Sequence, residues 1–430
     1  MTEDKFDAII VGAGVAGSTA AYLLAKAGLE VALIERGPYP GSKNLSGGVL
    51  YGRILEKIFP NYWEEAPVER RITNNVVTFL TEEAHFNIDF KTRAFDRNHN
   101  AYTVLRAKFD RWLADQAEAA GAILVPGIKV EGVIKDGQRV LGVTAGGEEM
   151  RADVVIAADG AFSFITQEAG LSAKPKAEHN AIGIKQLIGL PREVIEERFR
   201  LHGDEGAAHA IVGWATRGIP GGGFLYTNID SLSVGIVAPI DGLVKNQVRS
   251  GDMLEEFLHH PSIAPLVKDG TMLEYGAHIV PEGGLDAMPK IYGAGILVTG
   301  DAAGLGINSG FVVRGMDLAI GSAITAAETV LEARANNDFG EQAMSAYKQK
   351  LDKTSIMADM RTYRRAPHFF QNPRMYQDYP AMLTGLMERI YLGDAEPKEH
   401  MLPMLMKTTR ESGVSMVDLM RDVLEGIRAL

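Results

Sequence analysis

The chain contains no cysteine. That absence removes disulfides, thiol–disulfide chemistry and the thiolate ligands of an ordinary iron–sulfur cluster, and it suits a reducing compartment. Positive charge is also in deficit. Forty-four Lys and Arg face 55 Asp and Glu, a net charge of −11, so nucleic acid is not the expected partner. No uncharged apolar run reaches the ~20 residues of a membrane-spanning helix. The nearest approach, residues 291–313, is broken by Asp301 and six glycines. The opening MTEDKFDAIIV mixes both charges and enters an apolar run by residue 6, so no signal peptide is expected. Walker A and G-x-S-x-G patterns are missing. His259 and His260 have no metal-binding pattern around them and read as a helix end or loop before Pro261, so no metal is expected.

Glycine is what the chain has in excess: 47 of 430 residues, against a usual share of about 7%. Glycine serves where backbone turns sharply or approaches a ligand. The first such place is GAGVAG at 12–17, after the apolar run FDAIIV and before a helix of small residues at 15–27. A second apolar strand, 31–34, then ends in Glu35 and Arg36. Strand, Gly-rich turn, helix and an acid-tipped strand together form a dinucleotide fingerprint. Gly12 permits the turn, Gly14 lets a pyrophosphate approach the backbone, and Gly17 lets helix and sheet pack closely. The helix N-terminus, with Ala13, Val15 and Ala16, offers free N–H groups to phosphate, and Glu35 can accept hydrogen bonds from a ribose. A purely structural turn is the competing reading.

NAD and FAD both use this fingerprint, and the rest of the chain favours FAD. GDAAGLGINSG at 300–310 has the form of a second flavin signature: strand, Gly-Asp, Gly-rich turn, helix. Gly300, Asp301, Gly306, Ile307 and Asn308 are its candidate residues, with Asp301 orienting the ribityl or pyrophosphate part; a helix-capping aspartate is the alternative. Asp159 and Gly160, after the buried strand at 153–158, are a third element or an ordinary turn. Arg106 neutralises phosphate or forms a surface ion pair. The Gly/Ser/Asn-rich stretch 37–52 reads as a ligand-approaching loop, with Asn44, Gly47 and Gly48 as its candidates. Val130, on a strand expected at about 128–134, is counted with them. No second G-x-G-x-x-G follows residue 17, so no separate nicotinamide domain is evident.

The expected architecture is α/β. A discontinuous Rossmann-like FAD domain takes residues 1–80, 101–175 and 292–340. An inserted antiparallel-sheet domain takes 81–100 and 176–291, and a helical region 341–430. Eleven of the 17 methionines lie between Met344 and Met420. The tail carries Arg361, Arg364, Arg365 and Arg374, then Met382, Leu383, Leu386, Met387, Ile390 and Leu392. Such spacing reads as core or as an adaptable partner or membrane-surface patch.

Several stretches are more specific than any of these: KNLSGG (43–48), GIK (183–185), GGGFLY (221–226), HHPSI (259–263), YGAHIVPEGG (275–284), MPK (288–290) and GDAAGLGINSGFVVRGMDLAI (300–320). Through them, and through most of its length, the chain resembles the electron-transfer flavoprotein:quinone oxidoreductase family, FixC type. The resemblance implies an FAD-dependent oxidoreductase that takes electrons from a two-subunit electron-transfer flavoprotein and passes them to quinone. It further implies an electron-bifurcating complex, in settings that include nitrogen fixation. Single-chain members carry cluster cysteines near the C-terminus; this chain has none, which matches the FixC arrangement with a separate small ferredoxin-like iron–sulfur protein. The resemblance places quinone at Gly222, Gly223, Phe224 and Leu225, and implies a cytoplasmic protein, peripheral on the inner face of the cytoplasmic membrane. Because the flavin supplies the chemistry, no catalytic side chain is nominated. The competing enzyme is an FAD-dependent reductase or monooxygenase acting on a lipid-like small molecule; a non-enzymatic reading is a flavoprotein subunit that only scaffolds a complex.

Overall fold

The structure, a computed structural model, describes residues 5–44, 47–393 and 397–430, without the side chains of residues 96 and 97. Leu45 and Ser46 of the KNLSGG loop and the opening Met1–Asp4 lie outside the described residues.

The first sheet is built on the short apolar runs. Phe6–Val11 lies between Glu148–Ala157 and Val31–Glu35, parallel to both, and Ile123–Pro126 and Ile296–Val298 extend the parallel order on either side. Such runs need no alternation because a parallel sheet is covered on both faces. Val31–Glu35 is buried at every position. A hairpin, Val130–Asp136 with Arg139–Ala145, pairs onto the first half of Glu148–Ala157. The helices Val15–Lys26, Arg106–Ala119 and Met316–Asn336 pack with this sheet, and the first of them touches the other two.

The second sheet has nine strands, in the order Thr271–Pro281, Asn180–Gly189, Ser231–Pro239, Gly222–Thr227, Glu205–Gly213, Val68–Leu80, Tyr102–Val104 and Gly48–Leu50, with His85–Lys91 beside Val68–Leu80. It is antiparallel except where Glu205–Gly213 runs parallel to Val68–Leu80. Its own core lies around Val234, Ile236, Leu225, Leu254 and Phe257.

Sheet membership cuts across the bounds expected from sequence. Gly48–Leu50, Val68–Leu80 and Tyr102–Val104, assigned with the cofactor domain, all pair into the second sheet. Arg70 shows why. In the fold the Arg70 side chain is 1% exposed. Its guanidinium donates to the carbonyls of Asn228 (2.6 Å), Gly203 (3.0 Å), Glu205 (3.1 Å) and Ile229 (3.1 Å). A buried guanidinium is tolerable because its donors are satisfied, and here they bind the 68–80 strand to the sheet.

Residues beyond 340 are helical, chiefly Glu341–Leu351, Ser355–Thr362, Asp378–Tyr391, Met401–Glu411 and Met416–Ala429. Among the described residues, no helix is long and apolar enough to cross a membrane.

Candidate cofactor site

The strand Phe6–Val11 hands the chain to Gly12 at φ +102°, where a Cβ would stand 2.4 Å from the Ala158 carbonyl oxygen. Only glycine makes this turn. Gly17 is equally enclosed: a Cβ there would lie 1.8 Å from the Gly12 oxygen. Gly14 differs. It precedes Val15–Lys26 at φ −78°, and the nearest atoms to an added Cβ are Arg106 Nη2 at 3.7 Å and Asn44 Nδ2 at 3.9 Å. The space over Gly14 is therefore open and bordered by donors, at a helix N-terminus with no capping side chain. That is a cradle for phosphate.

Glu35 is buried at the end of its strand and accepts from Ala13 N–H (Oε2, 3.0 Å) and Gly37 N–H (Oε1, 2.6 Å). Each oxygen keeps a lone pair for a ribose hydroxyl. Arg106 is held by Asp110 through two bonds, 2.7 and 2.8 Å, and Asn44 donates to the same carboxylate. The fixed guanidinium thus faces the cradle with its charge partly matched. Asp159 does something the sequence left open: it accepts from Ser163 Oγ (2.6 Å) and Ile165 N–H (3.1 Å), bracing the first turn of the short helix Phe164–Glu168, which Ser163 caps.

One cavity of about 1530 Å³ runs from this cradle to the second sheet. It is lined by every sequence-predicted cofactor residue except Ala13 and Gly17, whose positions behind the turn are structural. Gly300, Asp301, Gly306, Ile307 and Asn308 line it too, with Gly300 close against Ala16 of the cradle helix. Burial pushes the Asp301 carboxyl up, with Arg106 opposing the shift. The expected turn-then-helix order is interrupted here. Ile307–Asn308 pairs with Val313–Arg314 as a two-stranded hairpin, and the helix begins only at Met316. Arg314 pins the hairpin to the structure through Asp317 (Nε, 2.7 Å) and Asp359 (Nη1, 2.5 Å).

The opposite wall is the strand Gly222–Thr227. Gly222, Gly223, Phe224 and Tyr226 line the cavity, and the rings of Phe224 and Tyr226 stack at 5.1 Å. Leu225 points the other way, fully buried in the second core. The period of two in a strand separates it from its neighbours.

Three titratable groups in or behind the wall were not singled out from sequence, although all lie in stretches that carry the resemblance. Lys185 is 1% exposed and donates to the Gly47 carbonyl at 3.1 Å; burial depresses its ammonium to about 7. His278 lines the cavity, held below its usual range by burial and by the charges of Arg106 and Arg36. Glu282 also lines it, and burial pushes its carboxyl up to about 7. Alternation along Thr271–Pro281 could have marked His278; burial of the loop after it has no sequence signal.

An open phosphate cradle, an acid positioned for ribose and a cavity lined by both Gly-rich elements fit FAD. Fold and site together define an FAD-dependent oxidoreductase. Comparison with known proteins agrees. The FAD binding domain family matches residues 5–199, and the ETF-QO/FixC family C-terminal domain matches residues 366–430. The chain is 44% identical, over the whole of both sequences, to the probable electron transfer flavoprotein-quinone oxidoreductase YdiS of Escherichia coli K12. It is likewise 44% identical, over the whole of both, to protein FixC of Salmonella typhi. A solved geranylgeranyl bacteriochlorophyll reductase-like protein from Thermoplasma acidophilum shares the fold, with TM-score 0.74 and 23% identity over 98% of this chain and 99% of that one. The chain belongs to the ETF-QO/FixC family of FAD-dependent oxidoreductases.

Proposed function

We propose that this protein is an electron relay: it takes electrons onto FAD from a partner two-subunit electron-transfer flavoprotein and passes them to a quinone. The observation that carries the reading is the continuity of the cavity. The same space that holds the phosphate cradle reaches the Gly222–Phe224 wall, where flat backbone and an aromatic ring suit a planar apolar acceptor. Bound FAD would supply the electron transfer. The chain's residues hold it: Gly14 and the helix N-terminus at the pyrophosphate, Glu35 at the ribose, and Asp301 and the 306–308 turn farther along. Work within an electron-bifurcating complex, with a ferredoxin-like iron–sulfur protein as neighbour, belongs to the same reading.

The C-terminal helices support contact with a membrane or partner. Met416, Val417, Met420, Val423, Leu424 and Ile427 are all exposed on Met416–Ala429, at helical spacing. Of the patch expected at 382–392, Met382 is buried and Leu392 is exposed. Of the arginines expected to favour anionic lipid, Arg361 pairs with Asp352, Arg364 with Asp286 and Arg374 with Asp422, while Arg365 is exposed. Apolar insertion, rather than a basic patch, is the feature we assign to peripheral attachment at the cytoplasmic membrane.

NADH alone should reduce the bound flavin slowly, and the partner flavoprotein with its own donor should reduce it fast. Rapid direct reduction by NADH, with oxygen consumed in proportion to an added lipid-like substrate, would replace this reading by that of a reductase or monooxygenase.

A further inference from the structure

Glu282 stands just past the edge strand Thr271–Pro281, on a loop held from two sides. The N–H groups of Glu282 and Gly283 both donate to the His179 carbonyl, at 2.9 and 3.1 Å. The Pro281 carbonyl lies 3.0 Å from where a Cβ of Gly306 would be, so the loop abuts the Gly-rich turn of the cofactor cradle. The side chain lines the cavity beside the Asn308 amide. Tyr376 approaches from the helical region, but its hydroxyl already donates to the Phe370 carbonyl at 2.8 Å, and burial with the Glu282 charge holds its phenol above the usual range. His179 packs against Gly283, and Arg364, farther along the loop, is paired with Asp286. Asn308 is thus the polar group that steadies the carboxylate, and no cation pairs with it among the described residues.

We propose that Glu282 is the proton donor of this site, handing its proton to a quinone oxygen as that acceptor takes electrons from the cofactor. The inference rests on the quinone reading above. A quinone becomes a quinol by gaining two electrons and two protons. The electrons are the cofactor's contribution; the protons have to reach an acceptor enclosed by the protein. In each transfer the Glu282 O–H bond breaks, an O–H bond forms on the quinone, and the carboxylate regains a proton from solvent. A carboxyl displaced to about 7 is suited to both halves of that cycle at neutral pH.

The holoprotein, reduced chemically without oxygen, is mixed with a short-tailed ubiquinone or menaquinone analogue, and the return of oxidised flavin absorbance is followed against pH. The wild-type rate should fall as pH rises through about 7. Glu282→Gln should slow reoxidation by about 10²-fold and lose that inflection, and Glu282→Asp should recover part of the rate. Ferricenium, which accepts an electron without a proton, should oxidise wild type and Glu282→Gln equally. Difference infrared spectra should show a protonated carboxyl titrating near about pH 7 that Glu282→Gln lacks. The inference is overturned if Glu282→Gln keeps the wild-type rate and pH profile with quinone, or if it loses rate equally with ferricenium, which marks a structural role. If ferricenium oxidises the wild type but no quinone does, the proposed function fails first, and the acceptor named here with it.

Discussion

Valine at Gly14 should empty the cofactor site and leave the fold standing. The backbone there has φ −78°, which any residue adopts, and an added Cβ meets nothing closer than 3.7 Å. The cost to the apoprotein is that of an aliphatic residue before a helix, about 1 kcal/mol. The cost to the cofactor is larger, because the branched side chain occupies the space where pyrophosphate meets the helix N-terminus. A loss of at least about 10²-fold in FAD affinity is expected, which removes about 2.7 kcal/mol of ligand-linked stabilisation. Gly17→Ala is the contrasting variant. Its Cβ would lie 1.8 Å from the Gly12 oxygen, so backbone has to move, at about 1–3 kcal/mol or more. FAD content after purification, calorimetric titration of the apoproteins with FAD and thermal melts of the apoproteins separate the two effects. Gly14→Val retaining a full complement of FAD would refute the cradle. An apoprotein melting as low as Gly17→Ala would show that the first motif serves packing.

Two further outcomes follow from the opposite wall. Unfolded, Lys185 keeps its proton to about pH 10; folded, burial releases it near about 7. Between those values the unfolded state binds more protons, so this group makes the protein more stable as pH rises, by up to about 1.4 kcal/mol per pH unit. Urea unfolding from about pH 7 to about pH 9 should show that rise in the wild type and lose it in Lys185→Met; parallel curves would place a charged lysine there. Phe224→Glu should raise the quinone KM by about 10-fold or more while FAD content stays normal; an unchanged KM would move the acceptor away from this strand. Leu225 is unsuitable for the same test, because a charge there would be buried in the second core and unfold the sheet.

The elements that sequence made legible are those whose signal is local. Phe6–Val11, Val15–Lys26 and Val31–Glu35 declare themselves by apolar runs, small residues and a terminal acid, and the structure places them within a residue of expectation. Glycine at 12 and 17 is legible for the same reason: the constraint comes from the turn itself. What stayed hidden depends on partners distant in the chain. Nothing local marks Arg70 for burial: Gly203, Glu205, Asn228 and Ile229 close around it from far along the chain, and they tie the 68–80 strand to the second sheet. Lys185 and Glu282 pose the same difficulty at the site. Charge type is written in the sequence, but burial is not, and burial displaces both groups toward neutrality. The two shifts have opposite electrostatic consequences. The lysine approaches its neutral form by releasing a proton, the glutamate by retaining one. Both therefore reduce the fixed charge behind and beside the cavity while leaving it titratable. A site that changes its electron count gains from that arrangement, since a nearby group able to take up or release a proton can offset each change in charge where a fixed ion could not.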